Sequence, residues 1–232
     1  VTLDLVAVPA LAAIPGLVHG FERRSAASGR QTRAASWSRV ARALDGRGRL
    51  LLMKQVHGAR VVEAPWDASP EADAAVAVAP GHLLGVETAD CLPILLVDPR
   101  SRAVAVAHAG WRGTAALVVR HALEALAARG SRPEELLVAL GPGIGPCCYE
   151  VGDELRAAFG PGAEAFFLPG RNGRPHLDVR AANVRQLLDA GVRPDAIFHV
   201  PDCTRCRSDL YHSYRRDGKG AGRMISFVGF SA

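Results

Sequence analysis

The chain has 232 residues, 49% apolar and 22% charged, the balance of a soluble globular protein long enough to bury a substantial core. No stretch approaches the ~20 uninterrupted apolar residues of a membrane span, so a membrane protein is not expected. The net charge of +5 and pI near 9.3 would suit a nucleic-acid partner, but the distribution argues against one. Lys54 and Lys219 are the only lysines, and the arginines are scattered apart from Arg23-Arg24 and Arg215-Arg216. No groove-reading motif or aromatic stacking platform accompanies them.

The opening residues 1–18 are apolar, but Asp4 interrupts them and no basic segment precedes them, so they read as a first strand and turn rather than a signal sequence. Strands are expected over Gly16–Glu22, Leu50–Val56, Arg60–Glu63, Asp73–Ala79 and His82–Thr88, with a helix over Ser36–Leu44 and a polar, mobile connection over Arg23–Ala35. Leu92–Val97 and Ala103–Ala107 are apolar strands, and the helical period from Thr114 runs to Arg129, where Gly130 supplies the stop. Leu136–Leu140 is a buried strand. It leads into Gly141–Gly152, a loop too rich in Gly and Pro to be regular and without the spacing of a phosphate-binding fingerprint. A short helix over Asp153–Phe159, a strand at Ala165–Leu168 and a helix from Val179 to Ala190 capped by Asp178 follow. Ala196–Val200 and Arg223–Phe230 complete the strands, separated by a long loop. Nothing in residues 1–232 resembles a domain linker. Runs of strands broken by single helices indicate one α+β domain, a layered sandwich rather than strict βαβ alternation.

The chemistry gathers at strand ends. Cys91 precedes one apolar run, His108 closes the next, and His57 follows a third, each beside glycine-containing turns. Two His and one Cys are three protein ligands, and three ligands with an open position are the pattern of a catalytic zinc; the same donors also suit copper. Each alone has a plainer reading, since Cys is a common core residue and a single His more often makes a structural hydrogen bond. Asp90, next to Cys91, could orient a ligand imidazole or transfer a proton, and Arg112, at the start of the helical segment, could hold an anion.

The five cysteines, Cys91, Cys147, Cys148, Cys203 and Cys206, include an adjacent pair and are odd in number, which argues for a reducing cytoplasm rather than a disulfide framework. Cys203-Thr204-Arg205-Cys206 is a lone CxxC, expected to be structural or to line the site.

Together, Lys54–Gly58, Thr88–Pro93, Ala107–Gly113, Gly141–Glu150, Ser213–Gly218 and Gly222–Met224 span most of the chain. In this set the chain resembles the YfiH/laccase-domain family, whose members are described as polyphenol oxidases, purine nucleoside phosphorylases and peptidoglycan-editing factors. The resemblance implies a layered α/β/β/α sandwich with mixed sheets and His57, Cys91 and His108 as metal ligands. It also implies a catalytic Arg near the N-terminus, placed on Arg24 with Arg23 as the alternative. Gln55 and Arg112 are the expected substrate-binding residues; Cys91, His108, Asp90 and Arg24 are the expected catalytic set.

The function the resemblance implies is a metal-dependent purine nucleoside phosphorylase, with zinc expected and copper the alternative, acting on adenosine, inosine or methylthioadenosine, with adenosine deamination in the same pocket. The H-x-E and P-C-x-x-C signatures of zinc nucleoside deaminases are absent. The rival readings are a cysteine hydrolase or peptidoglycan-precursor editing factor using Cys91 and His108, and a copper polyphenol oxidase. Partners are a purine nucleoside and phosphate, and a monomer is expected.

Overall fold

The computed structural model describes residues 2–24, 33–170 and 173–232. Strand β1 (Leu5–Val6) is followed by α1 (Pro9–Ala12), which the sequence pattern did not signal and which starts on Pro9, a residue suited to a first helical position. Next come β2 (Leu17–Glu22), α2 (Arg33–Ala43), β3 (Arg49–Leu52), β4 (Val61–Glu63), β5 (Ala74–Ala77), β6 (His82–Thr88), β7 (Leu92–Asp98) and β8 (Ala103–Ala109). Then follow α3 (Trp111–Ala115), α4 (Val118–Ala127), β9 (Leu137–Leu140), α5 (Arg156–Phe159), β10 (Phe167–Leu168), β11 (His176–Leu177) and α6 (Val179–Asp189). The chain ends through β12 (Ile197–His199), α7 (Tyr214–Asp217) and β13 (Met224–Phe230). The connection expected to be mobile falls largely on residues 25–32, outside the described residues.

Two mixed sheets form. One has the order β1-β2-β13-β6-β3, with the last strand of the chain at its centre, antiparallel to both β2 and β6. The other has the order β12-β9-β7-β8-β5-β4, and β10 and β11 make a separate hairpin. Successive side chains on a strand point to opposite faces, and here both faces are covered. On β8, Ala103, Ala105, Ala107 and Ala109 pack in the cluster that holds Val118, Val119, Ala122, Leu123 and Leu126 of α4, whereas Val104 and Val106 pack between the sheets. On β13, Val228 and Phe230 face the same inter-sheet core, while Ile225 and Phe227 pack with Val40 and Leu44 at α2. The layers are therefore helix, sheet, sheet, helix. Strands covered on both faces lose the polar alternation of an exposed sheet, which is why β7 and β8 read as continuous apolar runs.

The helix expected over Thr114–Arg129 is two helices. Leu117 sits between them in the left-handed region at φ 62°, which breaks the ladder and lets α4 leave α3 at a new angle. In the strand expected at Ala165–Leu168, Ala165 and Phe166 end a turn of 3₁₀ helix, and only Phe167–Leu168 pair with β11. Asp178 caps α6 as expected, its Oδ1 accepting from the Ala181 N–H at 2.9 Å. Among the described residues no helix is long and apolar enough to cross a membrane.

Leu95 lies fully buried between the sheets, whereas Leu188 on α6 is 38% exposed. Leu95→Ala should cost about 2–5 kcal/mol in denaturant unfolding and Leu188→Ala within about 0.5 kcal/mol. Equal effects would contradict an inter-sheet core at this position.

Candidate metal centre and cleft

Strand register assembles the centre. β7 and β8 pair antiparallel with Leu92 opposite Ala109 and Pro93 opposite His108, so the next step beyond the ladder sets Cys91 against Gly110. A Cβ at Gly110 would lie 2.9 Å from Cys91 Sγ and 3.4 Å from the His57 ring, so only glycine leaves room for the two side chains to close over it. His57 comes from the other sheet's side, in the loop after β3, with a left-handed φ of 61°. The donor atoms of His57, Cys91 and His108 all lie within 4.8 Å of one another. The two imidazoles meet edge to face with centroids 4.9 Å apart.

Asp73 holds this arrangement, and no motif or periodicity singles it out along the chain. One residue before β5, it lies opposite His108, whose backbone N–H donates to the Asp73 carbonyl at 2.7 Å. Its buried carboxylate pairs with His108 Nδ1 at 2.8 Å and accepts the backbone N–H groups of Val56, His57 and Gly58 at 3.1, 2.9 and 2.7 Å. With Nδ1 engaged, the other ring nitrogen of His108 is the one left for a metal. Burial opposes ionisation of Asp73, but the His108 and backbone bonds prevail and hold its pKa below the usual range. Burial likewise opposes the Cys91 thiolate. The charge and hydrogen bonds of His108 and His57 outweigh it and bring the thiol down to about 6. For His108 burial again acts against the charged form, but Cys91 and Asp73 raise it to about 9.

The three donors sit in a cleft of about 750 Å³ whose walls include Gln55, Asp90, Arg112, Tyr149, Arg215 and Arg223. Gln55 is there, with both ends of its amide bonded to the Glu87 backbone at 2.8 Å, in the manner of an added strand residue. Asp90 lines the cleft with a left-handed φ of 92°, but its carboxylate accepts Thr204 Oγ1 at 2.6 Å and the Arg215 N–H at 2.7 Å. The imidazole-orienting role considered for Asp90 is thus filled by Asp73. Asp90 anchors the wall instead. Arg112 lies over the Trp111 ring at 4.4 Å and has no carboxylate partner among the described residues. The helix behind it, α3, has only five residues, so an anion there would depend on the guanidinium rather than on a helix terminus. Arg24 is not among the cleft residues; its guanidinium donates to the Ser208 carbonyl at 2.8 Å. Arg23 faces Asp4 at 3.4 Å. Tyr149, Arg215 and Arg223 were legible only as parts of the family motifs.

Residues 27–231 match the family described as multi-copper polyphenol oxidoreductase laccase, and the chain belongs to that laccase-like family. It is 39% identical over 178 residues to a purine nucleoside phosphorylase of Deinococcus radiodurans, covering 76% of this chain and 68% of that one. It is 36% identical over 197 residues to adenosine deaminase RL5 from an unknown prokaryotic organism, covering 77% and 74% of the two chains. The purine nucleoside phosphorylase YlmD of Geobacillus stearothermophilus is 36% identical over 230 residues, 92% of this chain and 82% of that one. Its crystal structure superposes with a TM-score of 0.86 over 94% and 93% of the chains.

The donor set fits the metal the family implies: two imidazoles and a thiol that ionises readily, one imidazole already oriented by a carboxylate, and a glycine clearing the space between them. Asp73→Asn should therefore weaken metal affinity about 10- to 100-fold in chelator competition while the protein stays folded. The depressed Cys91 pKa means that thiolate is present above about pH 6 and is lost as pH falls through it. In metal-stripped protein, Cys91 alkylation should reach half its plateau rate near pH 6 instead of near the ordinary ~8.5, and metal should suppress it. Rapid labelling of Cys91 in the metal-loaded protein would remove it from the ligand set.

Proposed function

We propose that this chain is a metal-dependent purine nucleoside phosphorylase, acting on adenosine, inosine or methylthioadenosine, with adenosine deamination as a second reaction of the same cleft. The observation that carries the reading is the placement of a three-donor centre in the lining of a cleft that also presents Arg112, Arg215 and Arg223. The names of the relatives point the same way. In phosphorolysis a phosphate oxygen bonds to C1′ of the ribose, the bond from C1′ to the base nitrogen breaks, and the electron pair leaves with the base, which takes up a proton.

Zinc held by His57, Cys91 and His108 would supply Lewis-acid polarisation or a water of lowered pKa. The chain's own groups do the rest. Arg112, without an acidic partner among the described residues, is free to take the phosphate dianion, and its stacking on Trp111 limits the rotamer freedom lost on binding. Arg215 stacks on Tyr149 at 5.1 Å, and Asp90 fixes its backbone from below. Burial and the nearby Cys91 charge push the Tyr149 hydroxyl up to about 12, so it stays protonated and can offer a hydrogen bond to the leaving base without giving up its proton. Asp73 keeps the His108 ring from turning.

A four-electron laccase chemistry is less well supported. Among the described residues, neither group able to hold a metal gathers more than two His, fewer than a copper cluster needs. The cysteine-hydrolase reading has one observation in its favour, the Cys91, His108 and Asp73 series with a low-pKa thiol and a carboxylate-oriented imidazole. It makes the opposite demand on metal, since a nucleophile must be unliganded.

Phosphate separates the readings. The protein incubated with a panel of purine nucleosides should release free base and ribose 1-phosphate only when phosphate is present, and chelation should abolish the release. Arg112→Ala should raise the KM for phosphate about 10- to 100-fold, the effect of losing one charge-assisted bond of ~1.5–3 kcal/mol, with little change for the nucleoside. If no nucleoside reacts while a muropeptide precursor is hydrolysed by chelated protein, the hydrolase reading replaces this one.

A further inference from the structure

A second group of ligating side chains lies outside the centre described above. We propose that Cys147, Cys148, Cys203 and Cys206 form a closed four-thiolate site for a single structural zinc ion. Their sulfurs all lie within 4.8 Å of one another, with Cys148 and Cys206 at 3.4 Å and Cys147 and Cys206 at 3.7 Å. A zinc tetrahedron with Zn–S bonds of ~2.3 Å has edges of about 3.8 Å, and the four sulfurs stand at the spacing that one ion would draw together. A redox pair would require two cysteines to meet; here four converge from two loops more than fifty residues apart in the chain.

The surroundings suit four thiolates. A divalent ion leaves two negative charges in excess, and donors already point at the sulfurs: the Gly145 N–H at 3.3 Å from Cys203 Sγ and the Arg205 guanidinium at 3.5 Å from Cys148 Sγ. The two loops are also joined through their backbones, where Thr204 N–H donates to the Gly143 carbonyl at 3.1 Å. Four protein ligands leave no open position, which makes the site structural, in contrast to the three-donor centre. Its consequence is local. One loop carries Tyr149, the other carries Thr204 and leads to Arg215, and both pack on Asp90 at the wall of the cleft. A metal here would clamp that wall.

The test uses the full unmutated chain. Alkylation under reducing conditions, read peptide by peptide, should find all four cysteines protected at least about 10-fold together in zinc-loaded protein and labelled together after chelation. Protection of two or fewer, or a disulfide among them in the zinc-loaded protein, overturns the proposal. In a His57→Ala/His108→Ala variant, whose three-donor centre is disabled, one zinc per chain should remain, with four sulfur neighbours at about 2.3 Å by X-ray absorption. Loss of that zinc, iron in its place, or a shell with fewer sulfurs overturns it equally. Adding Cys203→Ser and Cys206→Ser should remove the remaining equivalent; its retention would count against the site.

Discussion

The buried carboxylate of Asp73 is the constraint on which the centre depends. Removing a carboxylate from water is costly unless its oxygens are fully used, and Asp73 uses them on three successive backbone N–H groups and one imidazole. The N–H groups belong to the loop after β3, in one sheet; the imidazole stands on β8, in the other. A single side chain thus joins the two sheets at the point where His57 and His108 meet. It does so by satisfying polar groups that would otherwise be stranded, which is why the left-handed turn at His57 can persist.

Close approach is arranged by small residues on the neighbouring strand. β8 turns alanines toward the helices and valines toward the other sheet, so α4 can settle on the sheet while the inter-sheet core stays filled. Gly110 continues this economy of volume at the strand end, under Cys91 and His57. The left-handed residues His57 and Asp90 both line the cleft, the first held by its backbone N–H bond to Asp73 and the second by its bonds to Thr204 and Arg215. The wall is then built by Asp90, which anchors two segments more than a hundred residues away in sequence.

His57, Cys91 and His108 were legible as candidate donors because each is a chemically unusual residue at the edge of an apolar run, a place where a side chain can emerge. The layered architecture was legible for a related reason: runs such as Leu92–Val97 are apolar on both alternating sets, so each strand had to be covered twice. Asp73 was not. One acidic residue at the start of an alanine-rich strand has no periodicity, and its partners lie fifteen to thirty-five residues away. Arg24 shows the converse, a residue carried over from motif spacing whose guanidinium donates to the Ser208 carbonyl and which is not among the residues lining the cleft.

The sequence by itself determined the α+β class, the apolar strands beside His57, Cys91 and His108, and the membership that the motif set announced, because apolar runs and their terminators act locally along the chain. Only the tertiary structure decided what those residues touch. The cross-strand pairing of Asp73 with His108, the break of the helical segment at Leu117, the diversion of Asp90 to the Thr204 and Arg215 loop, and the convergence of Cys147-Cys148 with Cys203 and Cys206 all depend on register and loop closure. Register is a property of paired strands and closure a property of the whole packed chain, so neither is written in any single stretch of residues.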